Sequence, residues 1–238
     1  MPFYLVFISV ALSLGCSQPK EFNAQYAQKA EQEGWSKVSE ILNRINPPTF
    51  PKNTFNVLDF GAKGDSVSND LSAFIAAIDS CSIIGGGTVI IPAGQYFLKG
   101  PVKLNSNVHL NLKEGARIFF SQEAKDYLPA VKVRWEGTVC YNYSPLIYGY
   151  QLTNVAITGK GIIDGAAQEW SSEWRKLQKP DQKRLRQMGN DTIPEVQRVF
   201  ANGFLDLDGD GKDDGFGDGQ QHFLRPTLIE LYECENIL

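Results

Sequence analysis

Leu146, Tyr150 and Asn154 return 82 positions later (236 − 154) as Leu228, Tyr232 and Asn236. They sit inside the matching blocks Pro145-Leu146-Ile147…Asn154-Val155 and Thr227-Leu228-Ile229…Asn236-Ile237. The Asn-Val step also occurs at Asn107-Val108, 47 residues before Asn154 (154 − 107). Repeats this degenerate, set among short β signals, point to a solenoid whose coils bury their apolar faces only by stacking. We read the 47-residue step as two coils with a period in the low twenties. The 82-residue step then contains an excursion of roughly 60 residues. An Asn recurring at one corner is physically apt, because its side chain tolerates the left-handed region and bonds neighbouring backbone.

The β signals themselves are Tyr96-Phe97-Leu98, Val108-His109-Leu110-Asn111-Leu112, Arg117-Ile118-Phe119-Phe120, Leu146-Ile147-Tyr148, Val155-Ala156-Ile157 and Ile162-Ile163. Before them, Asn69-Asp70 reads as a helix cap, and Leu71, Phe74, Ile75 and Ile78 share one helical face. Gly85-Gly86-Gly87 then leads into Val89-Ile90-Ile91. Strand, helix, glycine turn and strand together can cover the first rung of a solenoid. The excursion is basic and helix-like from Trp170 to Met188, with Pro180 dividing it, then glycine-rich and acidic from Gly203 to Gly219. The β pattern resumes at Leu224-Arg225-Pro226, and Leu238 falls within an apolar element. A bare apolar rung invites aggregation, so the expectation is a chain that represents only an N-terminal portion.

Composition narrows the function classes. Hydrophobic residues at 42% suffice for a core, and 21% charged residues are too few for a mainly disordered chain. A net charge of −4 argues against a nucleic-acid partner. The apolar run Phe3–Leu14 has the length of a signal-peptide core, and Gly15-Cys16 resembles the cleavage and lipidation site of bacterial lipoproteins. Export is therefore expected, to the outer membrane or cell surface by a lipid on Cys16, or as a secreted protein. Cys81, Cys140 and Cys234 can form at most one disulfide and match no zinc spacing, so single buried thiols are expected.

Two segments carry a family resemblance. They are Phe55-Asn56-Val57-Leu58-Asp59-Phe60-Gly61-Ala62-Lys63-Gly64-Asp65, and Asn154 through Asp164-Gly165 with Trp170 behind. Ser106-Asn107-Val108-His109-Leu110, Glu114-Gly115-Ala116, Tyr143-Ser144-Pro145-Leu146-Ile147 and Leu224-Arg225-Pro226 add to it. Over about residues 55–170 and 222–238 the chain resembles the polygalacturonase family (glycoside hydrolase family 28), pectin-cutting enzymes. The resemblance implies an all-β fold, a right-handed parallel β-helix with an N-terminal capping helix and a helical and acidic insertion. It also implies inverting hydrolysis of galacturonosyl linkages in pectic polysaccharides. In that chemistry one protonated Asp serves the leaving oxygen and a carboxylate pair activates water. The family's acids sit in Asn-Thr-Asp and Asp-Asp motifs backed by Gly-His-Gly and Arg-x-Lys. Asn190-Asp191-Thr192 only permutes the first of these, inside the excursion. No catalytic residue is carried over, and the isolated chain is expected not to hydrolyse glycans. The rival readings are a non-catalytic glycan-binding module and a β-helix polysaccharide lyase.

The expected organisation is a signal peptide over 1–15, and a tether and amphipathic helix over 16–53. A β-helix part over 54–238 follows, with its insertion at about 166–221. In the helix, Trp35, Val38, Ile41, Leu42 and Ile45 form one stripe. Substrate contacts are expected from Trp135, Tyr143 and Arg225, with the basic run Arg175–Arg186 as a further candidate. No cofactor is expected for catalysis. Asp206, Asp208, Asp210, the Lys212 carbonyl and Asp214 form Asp-x-Asp-x-Asp-Gly-x-x-Asp, a pattern suited to a structural calcium. Gly217 stands where such loops place Glu. His109 reads as a rung side chain, Asp164 as a turn residue, and His222 as the less ordinary of the two histidines. A monomer is expected of the full-length protein.

Overall fold

The computed structural model describes residues 24–207, 210, 212 and 214–238. The expected signal peptide, Cys16 and Asp208 lie outside them. Ala24–Ser36 and Val38–Arg44 form a unit of their own within the first 46 residues. The single helix expected around 35–45 is thus two. Gly34, a poor helix former, precedes the turn in which the Lys37 N–H donates to its carbonyl. Trp35, Ile41, Leu42 and Ile45 are all exposed.

From residue 47 onward the β signals stack into coils. The first sheet runs through Thr54–Asn56, Gly87–Ile91, Val108–Leu112, Thr153–Gly159 and Glu235–Ile237, all parallel. The second joins Val102–Lys103, Ile147–Tyr150 and Ile229–Tyr232. The third joins Asp65–Asn69, Gly94–Leu98, Ala116–Phe120 and Ile162–Asp164. This is a right-handed parallel β-helix. Strands such as Val108–Leu112 alternate strictly, burying Val108, Leu110 and Leu112 and turning His109 and Asn111 outward. His109 lies between the hydroxyls of Thr88 and Thr158 on adjoining coils. Each large side chain fully buried in this stack, such as Phe74 or Leu110, contributes roughly 1.5–3 kcal/mol.

Coil length departs from the expected spacing. Thr88 and His109 are 21 residues apart and lie on adjoining coils. Ala156 pairs directly with His109, so the 47-residue step is one coil, not two. Residues 121–145 account for the surplus. They carry an antiparallel hairpin, Val131–Trp135 with Thr138–Asn142, that leaves the coil and takes Val199–Phe200 as a third strand. The 82-residue step is likewise one coil, and its excursion is the insertion.

The Asn corner is a continuous column. Asn107, Asn154 and Asn236 have φ of 65°, 61° and 56°. Asn154 Nδ2 donates to Asn107 Oδ1 at 3.2 Å, and Asn236 Nδ2 to Asn154 Oδ1 at 3.0 Å. Gly86 sits at the foot of the column with φ of 112°, and a Cβ there would lie 2.5 Å from the Asn107 carbonyl oxygen.

Leu71–Ile83 covers the first coil with Phe74, Ala77, Ile78 and Cys81 buried. Asn69 alone provides its side-chain cap, accepting from the Leu71 N–H, while the Asp70 carboxylate holds the Lys63-Gly64 turn. Among the described residues Cys81, Cys140 and Cys234 are free, and burial pushes the Cys140 thiol up to about 12.

Candidate functional site

The insertion leaves the β-helix at the Asp164-Gly165 turn as a π-helical segment, Glu169–Trp174, followed by Arg175–Leu177 and Lys179–Asn190. Pro180 falls in the first turn of the last helix, where its missing N–H costs nothing. Trp170 and Trp174 anchor the segment by packing edge to face, Trp170 against Tyr127 and Trp174 against Tyr143 and Phe223.

Between this helix, the tip of the hairpin and the 225–228 segment lies a cavity of about 540 Å³. Its walls include Trp135 and Glu136 from the hairpin, Trp170 and Arg175 from the insertion, and Arg225. Its floor includes Leu146 and Leu228, the matching positions of the internal repeat, and Gly165, whose Cβ would lie 3.0 Å from Leu228. Trp135 Nε1 donates to the Arg225 carbonyl at 3.2 Å, which fixes the two walls to each other. Arg175 and Arg225 take no part in the ion pairs formed among the described residues. The Glu136 carboxylate is engaged elsewhere, by Gln182 at 2.6 Å and Arg186 at 3.5 Å. The cavity is therefore an apolar slot with two guanidiniums to spare.

A second cavity of about 370 Å³ lies beside Ile147–Tyr150. Its lysines are already matched: Lys103 to Asp206 at 3.6 Å, and Lys132 to Glu195 at 3.1 Å. It offers no comparable surplus of charge.

Two of the three expected substrate residues, Trp135 and Arg225, thus share one cavity. At 5% exposure Trp135 is a wall, with no open face for stacking. Tyr143 is a correction. Its ring is buried against Trp174, its hydroxyl accepts from the Asn202 N–H at 3.1 Å, and burial raises its pKa. No sugar can stack on it there, because the insertion covers it. Of the basic run, Arg175 reaches the cavity, while Lys176, Arg184 and Arg186 pair with Glu173, Asp218 and Glu136. Sequence reasoning missed Leu146 and Leu228 as site residues, although their repeat spacing was visible.

The described residues of the acidic segment bond to backbone groups both within it and on the hairpin side. Asp206 is buried, with its N–H bonded to the Ala130 carbonyl. Asp210 accepts from the Lys212 N–H and pairs with its ammonium, and Asp214 accepts from the Leu207 N–H. Among the described residues no group of three or more His, Cys, Asp or Glu is gathered to hold a metal ion. The sequence of this segment also holds an adjacent aspartate pair, Asp213-Asp214. Asp164 is bonded by Arg117 and by the Ala166 N–H, and these hold its carboxyl below the usual range.

Residues 54–111 match the family described as rhamnogalacturonase A/epimerase, pectate lyase-like. The exo-poly-alpha-D-galacturonosidase of Dickeya chrysanthemi is 35% identical over 124 residues, 46% of this chain and 19% of that one. The hyperthermoactive exopolygalacturonase of Thermotoga maritima superimposes with a TM-score of 0.70 at 36% identity, covering 89% of this chain and 44% of that chain. The chain is polygalacturonase-like. A mannuronan C5-epimerase of Azotobacter vinelandii is 48% identical over 63 residues, 24% of this chain and 4% of its own length. This polygalacturonase-like chain spans less than half the length of each of these relatives.

Proposed function

We propose that this chain is the substrate-holding part of a polygalacturonase-like hydrolase of pectic polysaccharides, and that the cavity between Trp135, Arg175 and Arg225 receives an acidic sugar of that polymer. The observation that carries the reading is the pair of unmatched guanidiniums on an apolar slot. A guanidinium binds a carboxylate through charge-assisted, often bidentate hydrogen bonds, and Leu146 and Leu228 suit the apolar face of a pyranose ring. None of the 238 residues is assigned a catalytic role, so binding without cleavage is the expected behaviour of this chain.

Mobility in a native gel cast with polygalacturonate tests this. Retardation there, and not in a gel cast with a neutral polysaccharide, is expected; equal mobility in both removes the reading. The match to a pectate lyase-like family over residues 54–111 keeps eliminative cleavage as the second reading. Unsaturated products absorbing in the ultraviolet would favour it, whereas hydrolysis yields reducing ends without that absorbance.

The same proposal puts the protein outside the cytoplasm, supported by the apolar Phe3–Leu14 run and by Gly15-Cys16. A structural calcium at Asp206, Asp208, Asp210, Lys212 and Asp214 is likewise proposed, on the alternation of carboxylates around Gly211.

A further inference from the structure

His222 is buried, at 2% exposure, between two carboxylates from different parts of the insertion. Its Nδ1 lies 3.1 Å from Asp181 Oδ1, in the helix Lys179–Asn190, and its Nε2 lies 3.0 Å from Asp218 Oδ1. A neutral imidazole carries one N–H and can serve one of these acceptors; only the imidazolium serves both. The remaining carboxylate oxygens are also engaged. Asp181 Oδ2 accepts from the Phe223 N–H at 2.7 Å, and Asp218 Oδ2 faces Arg184 at 3.5 Å. The Phe200 ring packs edge to face on the imidazole, with Arg184 on the same ring. Asp181, Asp218 and Arg184 are thus the charged groups around His222. The hydrogen bond to Asp181, opposed by burial and reinforced by Asp218, holds its pKa above the ordinary 6.5.

The clamp joins the two segments that carry the spare guanidiniums. Arg175 precedes the helix that bears Asp181, and Arg225 follows His222 by three residues. Between them the Leu224 carbonyl accepts from Asn142 Nδ2 at 2.9 Å, and the Arg225 carbonyl from Trp135 Nε1.

We infer that His222 is a positioning residue: its imidazolium ties the Arg225 segment to the helix after Arg175, sets both guanidiniums at the cavity, and lets go when the proton is lost. As far as binding is concerned, this rests on the cavity being the acidic-sugar site. The clamp is complete below the ordinary histidine value. It fails as pH rises through the higher folded value, because one carboxylate then faces a ring lone pair.

Proton and nitrogen NMR of the full chain between pH 5.5 and 9 tests this. The sequence holds two histidines, and His222→Gln identifies which ring resonance is which. His222 is expected to titrate above 6.5, and the Trp135 indole N–H to shift with the same midpoint. Affinity for trigalacturonate is expected to fall about tenfold through that midpoint, and His222→Gln to abolish the transition. A Trp135 resonance that stays fixed while His222 titrates overturns the inference, as does titration of His222 at or below 6.5. If Trp135 moves with His222 but trigalacturonate binds at no pH, the clamp stands and the cavity's assignment to acidic sugars fails.

Discussion

Replacing Asn154 by Gly and by Val separates the corner column from ordinary strand preference. The Asn154 side chain donates to the Thr49 carbonyl at 2.9 Å and to Asn107 Oδ1 at 3.2 Å, and accepts from Asn236 at 3.0 Å. Each bond contributes about 0.5–1.5 kcal/mol net, and at this open corner the lower half of that range applies. Asn154→Gly keeps a backbone at ease with φ of 61° and loses all three bonds, so a loss of about 1.5–3 kcal/mol is expected. Asn154→Val loses the same bonds and forces a β-branched residue to positive φ, adding about 1–3 kcal/mol. Strand propensity alone predicts the opposite order, because Val suits a strand and Gly weakens one. Urea unfolding followed by fluorescence at 25 °C reads the difference. If the Val variant is as stable as the Gly variant, or more so, the corner column is not what holds the coils in register.

At Asp164 the folded pKa lies below its ordinary 3.8, through Arg117 first and the Ala166 N–H second. The pair's contribution is therefore present above that ordinary value and lost as pH falls through the folded one. Both partners are substantially exposed, so the advantage over Asp164→Asn should stay under about 1 kcal/mol at pH 6 and vanish in strong acid, as paired thermal melts would show. Millimolar calcium is expected to raise the melting temperature, and Asp210→Asn to remove the rise; a melting temperature indifferent to calcium drops the ion from the account. Expressed in a bacterium, the chain is expected to partition with detergent and Cys16→Ser to shift it to the aqueous phase, whereas an unchanged partition excludes lipid at that residue.

The coils were legible because their strands face two ways. Val108, Leu110 and Leu112 against His109 and Asn111 leave one choice of inner face, and the Asn repeat marks the corner. The size of each coil was not legible, since a spacing counts residues and cannot say whether they form rungs or excursions. The hairpin shows the difficulty: Val131-Lys132-Val133-Arg134-Trp135 alternates like any solenoid strand. Its one local clue is the turn Glu136-Gly137, which takes φ of 42° and 96° in the structure, the two positive values of a tight hairpin. The candidate site followed the same rule. Trp135 was found as a flat aromatic face and Arg225 from the family-like Leu224-Arg225-Pro226 element, and Leu146 and Leu228 were hidden in the repeat that defined the fold. Tyr143 was misplaced because residues far along the chain cover it. The His222 clamp was invisible, since its partners Asp181 and Asp218 lie 41 and 4 residues away with no motif to connect them.

Calorimetric titration of trigalacturonate into the chain and into Arg175→Ala and Arg225→Ala variants tests the central claim most directly. Saturable binding that weakens about tenfold or more with either variant, the loss of one charge-assisted contact, is predicted, together with no binding of a neutral trisaccharide. Equal affinity for the charged and neutral sugars, or variants that bind like the parent, would contradict it.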